Sequence, residues 1–158
     1  MEKEIRNKVL GKIPYGLFVI GAASGEHVVA ILANWVTQVS FEPPLVAIAI
    51  EQDSDMRRSL DATGSFSINL LPSGAKERAK DFLKKSQRMG ATTTDKGFTL
   101  SPHGVPILKD AIDVLECNVV NALRTGDHVL YTAEVVGAHS FGSEDMLTLK
   151  ETGWKYNR

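Results

Sequence analysis

Ala33-Asn34-Trp35-Val36-Thr37-Gln38-Val39-Ser40-Phe41-Glu42-Pro43-Pro44-Leu45-Val46-Ala47-Ile48 interleaves amide and hydroxyl side chains with apolar ones and then meets two consecutive prolines. Proline has no backbone N–H to give a sheet ladder, so Pro43-Pro44 belongs at a strand entrance or bend, with a strand over Leu45 to Glu51 behind it. The polar half in front of the prolines predicts an irregular segment between strands. Such a segment presents backbone N–H groups, with Thr37 or Gln38, to a planar heteroaromatic ligand. Its spacing also fits a polar strand with one solvated face.

On either side of this stretch, short apolar runs bounded by turn residues predict buried strands. Tyr15 to Ala22 and Val28 to Val36 flank Ser24-Gly25-Glu26, a hairpin signal, and Phe66 to Leu71 ends at Pro72. Ala111 to Leu123 and His128 to His139 flank Arg124-Thr125-Gly126-Asp127, a long hairpin with Leu115, Cys117 and Val119 on one face. Met146 to Lys150 adds an edge. A helix from about Ser54 to Ala62 has Asp53 or Ser54 as N-cap and Gly64 to end it in the left-handed conformation. A surface helix carries Ala75, Ala79, Phe82 and Leu83 on one stripe with Ser73 as N-cap, and a further helix covers Lys3 to Leu10. Six or seven strands, several joined by hairpins, predict an antiparallel barrel with helical decoration.

The 158 residues are 43% apolar and 23% charged, the composition of one folded domain, 1–158, without repeat or low-complexity linker. Eighteen basic against nineteen acidic residues leave a net charge of -1, which provides no field for drawing in nucleic acid or an anionic membrane. No apolar run approaches the roughly 20 residues of a membrane helix, and no signal sequence follows the charged residues Met1 to Lys8, so the expected location is the cytoplasm. A single cysteine, Cys117, excludes an intrachain disulfide and multi-thiolate metal sites, and its apolar strand setting predicts a buried, inert thiol. The four histidines lack the i, i+4 pairing of a helical zinc site, so no metal centre is expected. There is no Gly-x-Gly, Walker or Gly-x-Ser-x-Gly pattern.

Four pieces of the chain, in order, carry a family pattern: the Asn/Thr-rich run ending Val39-Ser40-Phe41-Glu42-Pro43-Pro44-Leu45-Val46, the strand Phe66-Ser67-Ile68-Asn69-Leu70-Leu71, the strand Leu115-Glu116-Cys117-Asn118-Val119, and the turn Gly126-Asp127-His128. Together they resemble the flavin reductase-like, FMN-binding split-barrel family over about Pro14 to Val136. The resemblance implies a mainly β protein, an antiparallel six-stranded Greek-key split β-barrel with a few peripheral helices. It further implies a homodimer binding FMN, with FAD the other option, near the subunit interface, and NAD(P)H as electron donor. An apolar flank around Phe18 and Ile20 is expected to be covered in that dimer. The implied activity is flavin reduction by hydride transfer to N5. The alternatives are an electron-transfer module passing electrons to a redox protein of rubredoxin type, and a flavin-binding protein without turnover.

By the same resemblance Asn34, Trp35, Thr37 and Gln38 line the isoalloxazine ring, where fixed donors stabilise the charge that reduction brings to N1 and O2. Trp35 reads equally as a core or interface aromatic. The family holds the flavin phosphate at a Ser-x-Thr pattern; Ser54 matches its first hydroxyl, but Met56 stands at the second. Arg57 is the candidate replacement, while Asp53 and Asp55 repel an anion and Ser54 also reads as a plain N-cap. Lys84, Lys85 and Ser86 add cationic and hydroxyl candidates, or are merely solvated. His128 is the catalytic candidate beside the nicotinamide or flavin edge; its other reading is the first residue of a strand.

Overall fold

The computed structural model describes residues 2–25, 27–83, 89–90 and 97–155. The expected hairpin forms from β1 (Phe18–Ser24) and β2 (His27–Ala33), whose register sets Ser24 opposite His27. The run Val28 to Val36 does not continue as one strand: it breaks at Asn34-Trp35, and β3 (Val36–Ser40) starts anew. Part of the segment expected to be irregular is thus an edge strand, paired with β4 and broken in register only between Gln38 and Ser40. The double proline does lie at the entrance to β4 (Leu45–Glu51), with the Pro44 carbonyl accepting from Val135 N–H at 2.9 Å.

Beyond β4 the chain forms α2 (Asp55–Thr63), β5 (Ser65–Leu70), α3 (Lys76–Ala79), β6 (Met89–Gly90), β7 (Phe98–Leu100) and β8 (Pro106–Leu108). The long hairpin β9 (Asp113–Arg124) and β10 (His128–Ser140) follows, then α4 (Leu149–Thr152); α1 (Lys3–Leu10) precedes them all. Met146 and Thr148 make only single bridges, to Pro72 and Gly16. The helix expected to be capped by Ser73 is shorter: Ala75 is its N-cap, the chain tightens into a 3₁₀ turn over Lys80–Phe82, and the Ser73 hydroxyl donates to Glu151 instead.

The architecture is mainly β and antiparallel. One sheet runs β3-β4-β10-β9-β5-β1-β2-β6, and β7 pairs with β8 separately. The strands from β4 to β2 in that order are the expected six-stranded body, which β3 and β6 extend. Val29 of β2 and Val46, Ile48 and Ile50 of β4 belong to one buried cluster although four strands lie between them, so the sheet curls around that cluster. The barrel stays split between β2 and β4, and α2 packs across the gap with Met56 and Leu60 inside the same core. Side chains alternate along a strand, so Val19 and Val28 point away from Ile20 and Val29 and build a second core outside the sheet. Phe82, Phe98, Leu108 and Leu147 cover it.

Ile20 therefore lies fully inside the barrel and Phe18 packs against that core, so neither offers the expected exposed flank. The exposed apolar side chains include Val120 and Leu123 on β9, Val136 on β10, and Val39, Phe41 and Phe141. No described helix is long and apolar enough to cross a membrane.

Candidate functional site

The break between β2 and β3 is the centre of the site. At a strand interruption backbone and side-chain polar groups lose their ladder partners. The Asn34 side chain is 6% exposed, and its Nδ2 has no hydrogen-bond partner. Asn34 lines a cavity of about 300 Å³ whose walls are Leu17, Leu32, Ala33, Leu149 and Trp154, with Leu83 and Lys155 completing the lining. An apolar slot with one convergent amide has the make-up of a ligand pocket.

Trp35 takes a different direction from Asn34. Its carbonyl accepts from Ala49 N–H at 3.1 Å, and its indole packs on the His128 imidazole, ring centroids 4.7 Å apart and tilted by 52°. His128 begins β10 opposite Glu51 and is buried; its Nδ1 lies 2.6 Å from Asp127 Oδ1. His128 thus begins the strand, as one of its two sequence readings has it, and packs on Trp35. Thr37 and Gln38 are exposed on β3, and the side-chain hydrogen bonds shown for them stay on that strand, Thr37 Oγ1 to Gln38 O and Gln38 Nε2 to Ser40 O. As the sheet's edge strand, β3 presents them outward.

The end of β4 feeds directly into α2. Ser54 is its N-cap: the hydroxyl accepts from Arg57 N–H at 3.1 Å and donates to the Glu51 carbonyl at 2.7 Å. Gly64 ends the helix at φ 67° as expected. Met56, at the position of the second hydroxyl in the family pattern, is fully buried in the barrel core. The Arg57 guanidinium donates through Nη1 to Asp61 Oδ2 at 2.6 Å, while its buried Nε has no partner. Asp61 also accepts from the Tyr131 hydroxyl at 2.7 Å; burial, with the Asp61 hydrogen bond and charge, pushes that phenol above its ordinary range. Asn34 Nδ2 and Arg57 Nε are thus two buried donors without a hydrogen-bond partner among the described residues. Lys84, Lys85 and Ser86 lie outside the described residues.

The structure also assembles what periodicity does not show. Glu116 is 1% exposed, yet its carboxylate receives Ser101 Oγ at 2.6 Å and lies 2.8 Å from His103 Nδ1 and 2.5 Å from His139 Nε2. Burial alone pushes this carboxyl up, but the hydrogen bonds from His139, Ser101 and His103, with the His103 charge, outweigh it and hold the group below its ordinary value. Among the described residues no cluster has a metal-holding arrangement. Cys117 next to it is buried, and burial followed by the Glu116 charge pushes its thiol up to about 12, which leaves it inert. The residues missed at the cavity, Leu17, Leu149, Trp154 and Lys155, come from the two ends of the described chain; the Gly153-Trp154 pair after a short helix was the available signal.

Comparison with known proteins gives the following. The sequence profile of the flavin reductase-like domain matches residues 10–154. The chain is 31% identical over 144 residues to diflavin flavoprotein A 1 of Synechocystis, covering 88% of this chain but 24% of that protein. It therefore spans about a quarter of that relative's length. It is 31% identical over 133 residues to an NADH-dependent FAD reductase of Streptomyces globisporus, covering 83% of this chain and 72% of the relative. Among solved structures, the NADH:FAD oxidoreductase SgcE6 of Streptomyces globisporus superposes with a TM-score of 0.82 at 28% identity, over 94% of this chain and 88% of that one. That protein has also been solved with NAD and FAD fragments.

Proposed function

The chain belongs to the flavin reductase-like family, and from that premise we propose that it is an NAD(P)H-dependent flavin oxidoreductase acting on FMN, with FAD the other flavin. The observation that carries this reading is the buried, unpartnered Asn34 amide inside an apolar cavity of about 300 Å³. A flavin bound there would supply two-electron chemistry as the hydride acceptor. Asn34 would donate to a ring acceptor, and because the donor is fixed in a site shielded from water it costs little reorganisation when charge develops. Trp35 and His128 pack on each other where β10 begins opposite Glu51 at the end of β4, outside that cavity's lining. Asp127 orients the imidazole through Nδ1, which positions His128 to hold the later proton; hydride transfer itself needs no acid. Ser54 organises the start of α2, and the buried, unpartnered Arg57 Nε would donate to the phosphate.

Thr37 and Gln38 reach a ring only where a second surface closes over β3. The homodimer supplies that surface, and the exposed Val120, at 57%, and Leu123, at 60%, on the outer half of β9 are its apolar contacts. Sedimentation at micromolar concentration is expected to give a dimer; a stable monomer removes this part of the reading. Activity is tested by following loss of NADH and NADPH with and without added FMN or FAD under anaerobic conditions. Nucleotide oxidation is expected only with flavin present, with matching bleaching of the flavin. No oxidation with either flavin overturns the assignment.

A further inference from the structure

The cavity is walled on one side by residues from the far end of the chain. Leu17 N–H donates to the Leu147 carbonyl and Leu149 N–H to the Tyr15 carbonyl, each at 3.0 Å, and Gly16 bridges Thr148 between them. Thr148 caps α4, and Gly153, at φ 71°, reverses the chain behind it, a conformation glycine adopts without strain. That reversal delivers Trp154 against the outer core, where it lines the cavity. Two contacts hold it: its backbone N–H donates to Thr152 Oγ1 at 3.1 Å, and the Lys76 ammonium lies 5.6 Å above its ring. Lys155 lines the same cavity.

We propose that Trp154 and Lys155 complete the flavin-ring pocket, the indole as the apolar wall on which the ring lies and the ammonium as the cation for the ring edge that becomes negative on reduction. This rests on the flavin oxidoreductase reading. The chemistry of the lining selects among the rings available. Isoalloxazine is flat, apolar at its dimethylbenzene end, and rich in acceptors at the other, which suits a lining that combines leucines and an indole with Asn34 and Lys155. An oxidised nicotinamide ring carries positive charge and is repelled by Lys155. At about 300 Å³ the cavity takes one ring system and not a whole dinucleotide.

The test titrates flavin-free protein with FMN and with riboflavin, reading flavin fluorescence, because an indole touching the ring quenches its emission. Trp154→Leu is expected to weaken both flavins at least fivefold and to relieve quenching. Trp154→Phe keeps an aromatic wall, so it restores most of the affinity while bound flavin stays brighter than in the wild type. Lys155→Gln is expected to bind oxidised flavin nearly unchanged but reduced flavin about tenfold more weakly, a midpoint lower by about 30 mV for a two-electron couple, with Lys155→Arg restoring it. A folded Trp154→Leu or Trp154→Phe protein with wild-type affinity and quenching overturns the proposal while leaving the oxidoreductase reading intact. A wild-type protein that binds no flavin overturns both.

Discussion

Glu116→Ala is expected to destabilise the protein by about 3–5 kcal/mol, the range for breaking a buried charged network by removing one member. The carboxylate, carried by β9, joins two other segments, the loop before β8 that holds Ser101 and His103 and the end of β10 that holds His139. Without it the buried Ser101 hydroxyl loses its acceptor, and both imidazoles lose the group that fixes them. The pH dependence follows from the direction of the shift. A carboxyl held below its ordinary value in the folded state contributes stability that is fully present above the unfolded value of about 4.3, and that is lost as pH falls through the lower folded value. Glu116→Gln keeps the shape and removes the charge. Urea unfolding of wild type and Glu116→Gln is therefore expected to show the widest gap near neutrality and a closing gap toward about pH 3. A gap of constant width over that interval would mean that the ionised form is not what the three partners stabilise.

Arg57→Ala is expected to lower FMN affinity tenfold or more and riboflavin affinity far less, because riboflavin lacks the phosphate. With Met56 turned into the core and the Ser54 hydroxyl used at both ends for capping, the guanidinium is the group in this region with a buried donor still to satisfy. A charge-assisted hydrogen bond contributes about 1.5–3 kcal/mol net, which converts to at least a tenfold change in dissociation constant. The fold tolerates the change. The Arg57–Asp61 pair lies on the partly exposed side of α2, where an i, i+4 pair is worth about 0.3–0.5 kcal/mol, alanine favours the helix, and Asp61 keeps its bond from Tyr131. Isothermal titration of both flavins into wild type and variant decides the matter. Equal losses for the two would place the phosphate elsewhere, with Lys84 to Ser86 the next residues to substitute.

The parts of the fold governed by neighbours in sequence were legible before any coordinates. Prolines that cannot donate marked the entrance to β4, Thr125-Gly126-Asp127 marked the turn between β9 and β10, and Ser54 with Gly64 bracketed α2. Ser73 misled because its hydroxyl found Glu151, which is remote in sequence, and left the helix start to Ala75. The site divides along the same line. Asn34, Trp35, Ser54, Arg57 and His128 sit within or beside local signals, whereas Thr37 and Gln38 face outward on the edge strand β3, away from the cavity lining. The Glu116 cluster and the Trp154 wall arise from tertiary pairing of segments that no period or spacing connects. His103 and His139 looked scattered because their meeting point is a single carboxylate on β9, an element to which neither belongs.

The pairing of residues 15–17 with 147–149 also bears on how the protein is made. A ribosome delivers Leu17 well before Trp154, so one wall of the cavity waits for the other while the residues between them are translated. Contacts so distant along the chain close late, after the local hairpins have formed. On the ring pocket proposed above, a ligand held by both walls cannot template the early steps of this assembly; it would join a barrel whose two cavity walls have already met.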